Sequence, residues 1–214
     1  MTDLADLPIL TATEARILGC LIEKKLLTPD VYPLTLNAAQ AAANQKTARE
    51  PAMALEQGEI HHALKTLEQK ELVRQVFGSR VERYEHLAAQ RFSLTTPQTA
   101  LLGLLLLRGP QTAYELLSRS ERMARFQSAE ALKDELDMLI GKRPALVKEI
   151  GRGPGQREDR YAHLLCGDVE ASSFVPAAAS AVPASNAVAE LEARIATLEE
   201  QVASLTARLD QLTA

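Results

Sequence analysis

The sequence predicts a mainly α chain with small β-hairpins, an α+β class, built from two similar domains and a separate C-terminal helix. Three observations predict it. Apolar residues recur at helical spacing in two series of three segments, and each series ends in two short β-patterned stretches. One motif appears twice, once at the end of each series. Residues 188–214 carry an unbroken heptad pattern.

In the first series, Thr13 can cap a helix whose stripe is Ile17, Leu18, Leu21 and Ile22. A second helix fits Thr35 to Asn44, and a third carries Ile60, Ala63, Leu64 and Leu67. Two strands follow, Leu72–Phe77 and Val81–Leu87, joined by Gly78-Ser79-Arg80. In the second series, Thr96-Pro97 begins a helix through Leu107, with proline in the first turn. A short helix lies near Ala113–Ser118, and a third holds Ala129, Leu132, Leu136 and Leu139. The strands are Leu146–Ile150 and Arg160–Leu165, across a turn from Gly151 to Gln156.

The repeated motif sits at equivalent places. Arg80-x-x-Arg83-Tyr84-x-His86-Leu87 recurs as Arg157-x-x-Arg160-Tyr161-x-His163-Leu164. Three helices followed by a hairpin is the order of a winged-helix unit, a helix-turn-helix variant. Residues 1–90 and 91–166 therefore read as two tandem winged-helix domains.

Residues 171–187 are uncharged and rich in Ala, Ser and Pro, and Pro176 and Pro183 block a continuous helix. Residues 167–187 read as a flexible linker. Beyond it, Val188, Leu191, Ile195, Leu198, Val202, Leu205, Leu209 and Leu212 alternate spacings of 3 and 4. With β-branched residues and Leu at a, and Leu at d, this seam favours a parallel two-stranded coiled coil, hence a homodimer. An amphipathic helix docked on its own domain is the other reading.

Composition limits the function classes. The net charge is −4, which excludes a polybasic protein but not a local basic face. That charge is uneven: −2 over residues 1–90, +3 over 91–166 and −5 over 167–214. Two cysteines, Cys20 and Cys166, are too few for a disulfide scaffold. The longest apolar run, Leu101–Leu107, is too short to span a bilayer and reads as a buried helix. The acidic N-terminus is not a signal peptide, so the expected compartment is the cytoplasm.

Two strings carry a resemblance. They are Asn44-Gln45-Lys46-Thr47-Ala48-Arg49-Glu50-Pro51 and Pro154-Gly155-Gln156-Arg157-Glu158-Asp159-Arg160-Tyr161-Ala162-His163-Leu164. With Leu27-Thr28-Pro29 and Tyr32-Pro33-Leu34, they make the chain resemble the YceH-like proteins, a bacterial family without an established function. The resemblance spans nearly the whole chain. It implies tandem winged-helix domains and brings no catalytic residues. At Ala48 the chain departs from the family pattern, where a polar residue, often Asn, is expected.

Motifs for chemistry are sparse. His-Glu-x-x-His, paired Cys-x-x-Cys and the phosphate-loop pattern are missing from the sequence. Adjacent His61 and His62 point about 100° apart on a helix and do not share a metal easily. His86 and His163, at strand ends, are explained by packing. No enzyme, cofactor or metal is expected.

Recognition remains. On the third helix of domain 1, His62, Lys65 and Gln69 oppose the apolar stripe and can donate to bases or phosphates. Arg80 and Arg83 belong to its wing, and Lys46 and Arg49 to the loop before the helix. On the third helix of domain 2, Glu130, Asp134 and Asp137 face outward and would be repelled by phosphate. Arg119, Arg122 and Arg125 before that helix, and Arg152, Arg157 and Arg160 on the wing, make its surroundings basic. Each of these groups has a bland alternative: solvated helix faces, internal ion pairs, or an arginine satisfying loop carbonyls.

Two functions fit. The first is a dimeric, regulatory DNA-binding protein that reads duplex DNA with the third helix of domain 1 and phosphate with the wings. The second is a protein-interaction scaffold, such as a subunit of a chromosome-organising assembly, with the partner at Glu130, Asp134 and Asp137; that reading is an analogy of fold.

Overall fold

The computed structural model describes residues 7–76, 81–152 and 158–168. Arg80, Arg157, the linker from residue 169 onward and the heptad seam Val188–Leu212 lie outside the described residues. The described residues belong to one compact unit of mixed α and β structure, with seven α-helices and two three-stranded antiparallel sheets.

Helix α1 spans Ala12–Leu27. It is opened by Thr11, ahead of the expected cap at Thr13, because Thr11 forms a reciprocal box with Glu14. The Glu14 N–H donates to Thr11 Oγ1 (3.2 Å) and the Thr11 N–H to Glu14 Oε2 (2.8 Å). After a 3-10 turn at Pro29–Val31 come strand β1 (Leu34–Thr35) and helix α2 (Leu36–Ala43), capped by the Thr35 hydroxyl. Helix α3 (Gln57–Gln69) and strands β2 (Val73–Val76) and β3 (Arg83–His86) complete the first half.

A short helix α4 (Ala88–Arg91) leads into the second half. Helix α5 (Thr96–Arg108) begins at Thr96, as the sequence predicts, and is capped by Thr95. Strand β4 (Gln111–Thr112), helices α6 (Ala113–Ser120) and α7 (Ala129–Ile140), and strands β5 (Val147–Ile150) and β6 (Arg160–His163) follow. The two halves thus share one element order. The sheets match too: β1-β3-β2 in one, β4-β6-β5 in the other. Leu34 pairs with Tyr84, and Gln111 with Tyr161, at corresponding places in the two copies. Strands β1 and β4 escaped the sequence reading because so short a strand carries no alternation to detect.

One hydrogen bond makes the repeat physical. Arg83 Nη1 donates to the Pro33 carbonyl at 2.8 Å, and Arg160 Nη1 to the Pro110 carbonyl at 3.0 Å. Each arginine ties the central strand to the backbone just before the short edge strand. That is why the motif keeps an arginine at this place in both copies.

The two halves pack through their first helices. Gly19 on α1 and Gly103 on α5 occupy the same position along their respective helices. A Cβ on Gly103 would lie 2.6 Å from Ile22 Cγ2, and one on Gly19 would lie 2.9 Å from Leu107 Cγ. Backbone thus approaches side chain closely from both directions. Ile17, Leu18, Leu21 and Ile22 of α1 and Leu101, Leu102 and Leu105 of α5 are fully buried.

The loop from Gln45 to Glu56 ties α1, α2 and α5 together. Arg49 is buried, donates to both carboxylate oxygens of Glu23 (3.1 and 2.6 Å) and bonds the Ala42 and Ala48 carbonyls (3.0 and 2.8 Å). Arg16, also buried, reaches the Ala43 and Pro51 carbonyls (3.2 and 2.5 Å). The Glu50 N–H donates to the Leu107 carbonyl at the end of α5 (2.9 Å). Ala48 holds φ +61°, the left-handed region that suits Gly or Asn better than alanine.

Candidate interaction surface

The expected DNA face thins out once its residues are placed. Arg49 is inside the protein with its donors on Glu23 and loop carbonyls, so it is corrected from a phosphate contact to a structural group. Arg83 and Arg160 are half-buried and hold the Pro33 and Pro110 carbonyls through Nη1, and Arg160 also pairs with Glu115 at 3.0 Å. Lys65 turns toward its own sheet, donating to Gln75 Oε1 at 2.8 Å and Glu68 Oε2 at 3.2 Å. Arg152 is exposed and paired with Asp159 at 3.1 Å. His62, Gln69 and Lys46 are exposed, as the helical wheel expected for the first two.

The entry to α3 is acidic. Glu56 precedes the helix, and its N–H donates to Glu59 Oε2 at 2.8 Å. Two carboxylates therefore stand at the helix end that would approach a phosphate-lined groove, where anions are unfavourable.

The outward face of α7 is exposed. Leu132, Leu136 and Leu139 point into the core, leaving Glu130, Asp134 and Asp137 in solvent. Met138, 64% exposed, lies beside them. A cleft of about 200 Å³ opens between α6, α7 and the β5–β6 hairpin, lined in part by Tyr114, Lys133, Glu149, Glu158 and Asp159. Tyr114 is 59% exposed. The face therefore combines carboxylates with exposed apolar and aromatic side chains. Of the arginines before α7, Arg119 donates to Gln111 Oε1 at 2.6 Å, while Arg122 and Arg125 are exposed.

The titratable core groups are poor reactive centres. Burial pushes the Cys20 thiol up to about 11, so at neutral pH it is a protonated core residue. Burial, helped by the Lys25 charge, pushes His86 down to about 4, and burial pushes His163 down to about 4. Both ring nitrogens of His86, and Nδ1 of His163, lack a hydrogen-bond partner among the described residues. Among those residues no cluster of three or more His, Cys, Asp or Glu could hold a metal, and no helix is long and apolar enough to cross a membrane.

Sequence reasoning missed Arg16, which sits unmarked inside the apolar α1 pattern. It also missed Arg91, Lys142 and Arg143, which lie far apart along the chain and which the fold brings to one cavity.

The sequence profile of a family described as "Protein of unknown function, DUF480" matches residues 10–156. UPF0502 protein mll4256 of Mesorhizobium japonicum is 79% identical over 168 residues, 78% of this chain and 80% of that protein. UPF0502 protein xcc-b100_4348 of Xanthomonas campestris is 54% identical over 179 residues, covering 84% and 80%. UPF0502 protein Smlt0097 of Stenotrophomonas maltophilia is 54% identical over 168 residues, covering 78% and 76%. A profile match across the whole α1–β5 core, joined to identities at this level, places the chain in the DUF480 family of bacterial proteins, together with these UPF0502 relatives.

Proposed function

We propose that each half is a winged-helix unit, that the label YceH-like fits the chain, and that it is a non-catalytic, cytoplasmic protein-interaction scaffold. Its docking surface is the outward face of α7, and the partner offers a cationic segment. The observation that carries this reading is the exposure of Glu130, Asp134 and Asp137 on the helix that a DNA reader would insert into the groove. Three carboxylates there repel phosphate and attract Lys or Arg. Exposed Met138 and Tyr114 supply the apolar contact that a protein interface needs at its centre. The element order of the two halves supports the winged-helix assignment. The C-terminal seam makes the scaffold a homodimer, and truncation at residue 186 is expected to lower its mass in light scattering.

A second reading, duplex DNA held by α3, is favoured by the exposure of His62, Gln69 and Lys46. A titration of the full chain with random duplex DNA at two salt concentrations separates the two. The scaffold reading expects weak, salt-sensitive binding, about equal in wild type and Lys65→Glu. Tight binding that Lys65→Glu abolishes would overturn it.

A further inference from the structure

Arg91, Lys142 and Arg143 converge on a cavity of about 220 Å³, whose walls include Phe92, Ser93 and Pro144. Arg91 ends α4, whereas Lys142 and Arg143 belong to the turn between α7 and β5. The two walls are tied by one bond, Lys142 Nζ to the Ser93 carbonyl at 3.1 Å. An ammonium has three donors, so this leaves two. Arg143 is exposed and uses Nη1 to bond the Gly141 and Lys142 carbonyls at 3.1 and 2.8 Å. The Arg91 guanidinium lies 5.9 Å from the centre of the Phe92 ring, and its Nε is buried without a hydrogen-bond partner. Its carboxylate neighbour, Glu71, stands 3.9 Å away and is 68% exposed.

Three cations around one small cavity repel one another, and one exposed carboxylate offsets one of them. A dianion satisfies the other two. Guanidinium groups match phosphate oxygens in geometry as well as charge. Phe92 and Pro144 offer an apolar wall to the organic part of a ligand. The volume lies below the roughly 300–1,000 Å³ of drug-sized ligand sites, so a small compound fits and a dinucleotide does not. We propose that this cavity binds a small phosphorylated anion, a phosphomonoester, at a site separate from the α7 face. It stands independently of the scaffold reading.

The test is calorimetric titration of the full chain with inorganic phosphate and with glycerol phosphate. One site per chain is expected. Lys142→Gln and Arg143→Gln should each weaken binding about tenfold, the loss of one charge-assisted hydrogen bond. Lys133→Gln, in the other cleft, should leave it unchanged. Arg91→Gln is a weaker probe, because its contacts with Phe92 and Glu71 also serve the fold; the two turn residues carry the test. No binding at millimolar phosphate, or equal binding by all variants, would overturn the proposal. Displacement of phosphate by random duplex DNA at equal phosphate concentration would overturn it too, assigning the cations to a nucleic-acid backbone.

Discussion

Replacing Gly103 by alanine asks whether the two halves are clamped at the α1–α5 contact. The added methyl would sit 2.6 Å from Ile22 Cγ2 and 3.3 Å from Ile22 Cβ. Favourable carbon–carbon separation is about 3.5–4.0 Å, so something must move by about 1 Å. Ile22 is fully buried and branched at Cβ, so it has little freedom to rotate away. Overpacking of this kind costs about 1–3 kcal/mol. Glycine to alanine inside a helix gains up to about 1 kcal/mol, which leaves a net loss of up to about 2 kcal/mol. Gly58→Ala on α3 is the control, because a Cβ there meets nothing within 4 Å. It should be neutral or slightly stabilising. Urea unfolding of both variants gives the comparison, and Ile22→Ala, which removes the Cγ2 that the new methyl strikes, should cost less in the Gly103→Ala background than in the wild type. If Gly103→Ala stabilises as much as Gly58→Ala, the helices are not in close contact and the two halves are not one body.

Other expectations follow from single sites. Glu23→Gln leaves buried Arg49 without its carboxylate and should cost about 3–5 kcal/mol in urea unfolding. Ala48→Asn should stabilise by about 1 kcal/mol, since Asn tolerates the left-handed backbone that alanine resists. His86 and His163 titrate near 4 when folded and near 6.5 when unfolded, so the unfolded chain binds more protons between these values. Stability is therefore full above about pH 6.5 and falls as pH drops toward 4, by up to about 2 kcal/mol per histidine between pH 7.5 and 5. Phenylalanine at both positions should flatten that dependence in urea unfolding at the two pH values.

Helices were legible where burial and period agree. The Ile60, Leu64, Leu67 and Leu132, Leu136, Leu139 stripes are the buried faces of α3 and α7, because helical periodicity survives folding intact. The repeat was legible because the Arg83 and Arg160 staples demand the same residue at the same place. Their purpose was not. Sequence shows that an arginine is present, but not whether it faces solvent or a distant backbone carbonyl just before another strand. Arg49 illustrates the same limit, since its partner Glu23 lies on α1. Surface carboxylates fared better: Glu130, Asp134 and Asp137 are exposed as the wheel required, because nothing internal recruits them. The Arg91–Lys142–Arg143 cavity escaped notice because no local pattern links α4 to the turn after α7.

The most direct test of the scaffold account is photo-cross-linking in cells from residue 138 or residue 62 of the full chain. From residue 138, the account predicts one discrete protein adduct that Asp134→Lys with Asp137→Lys abolishes, and from residue 62 no nucleic-acid adduct. A nucleic-acid adduct from residue 62, with none to protein from residue 138, would contradict it and return α3 to the groove.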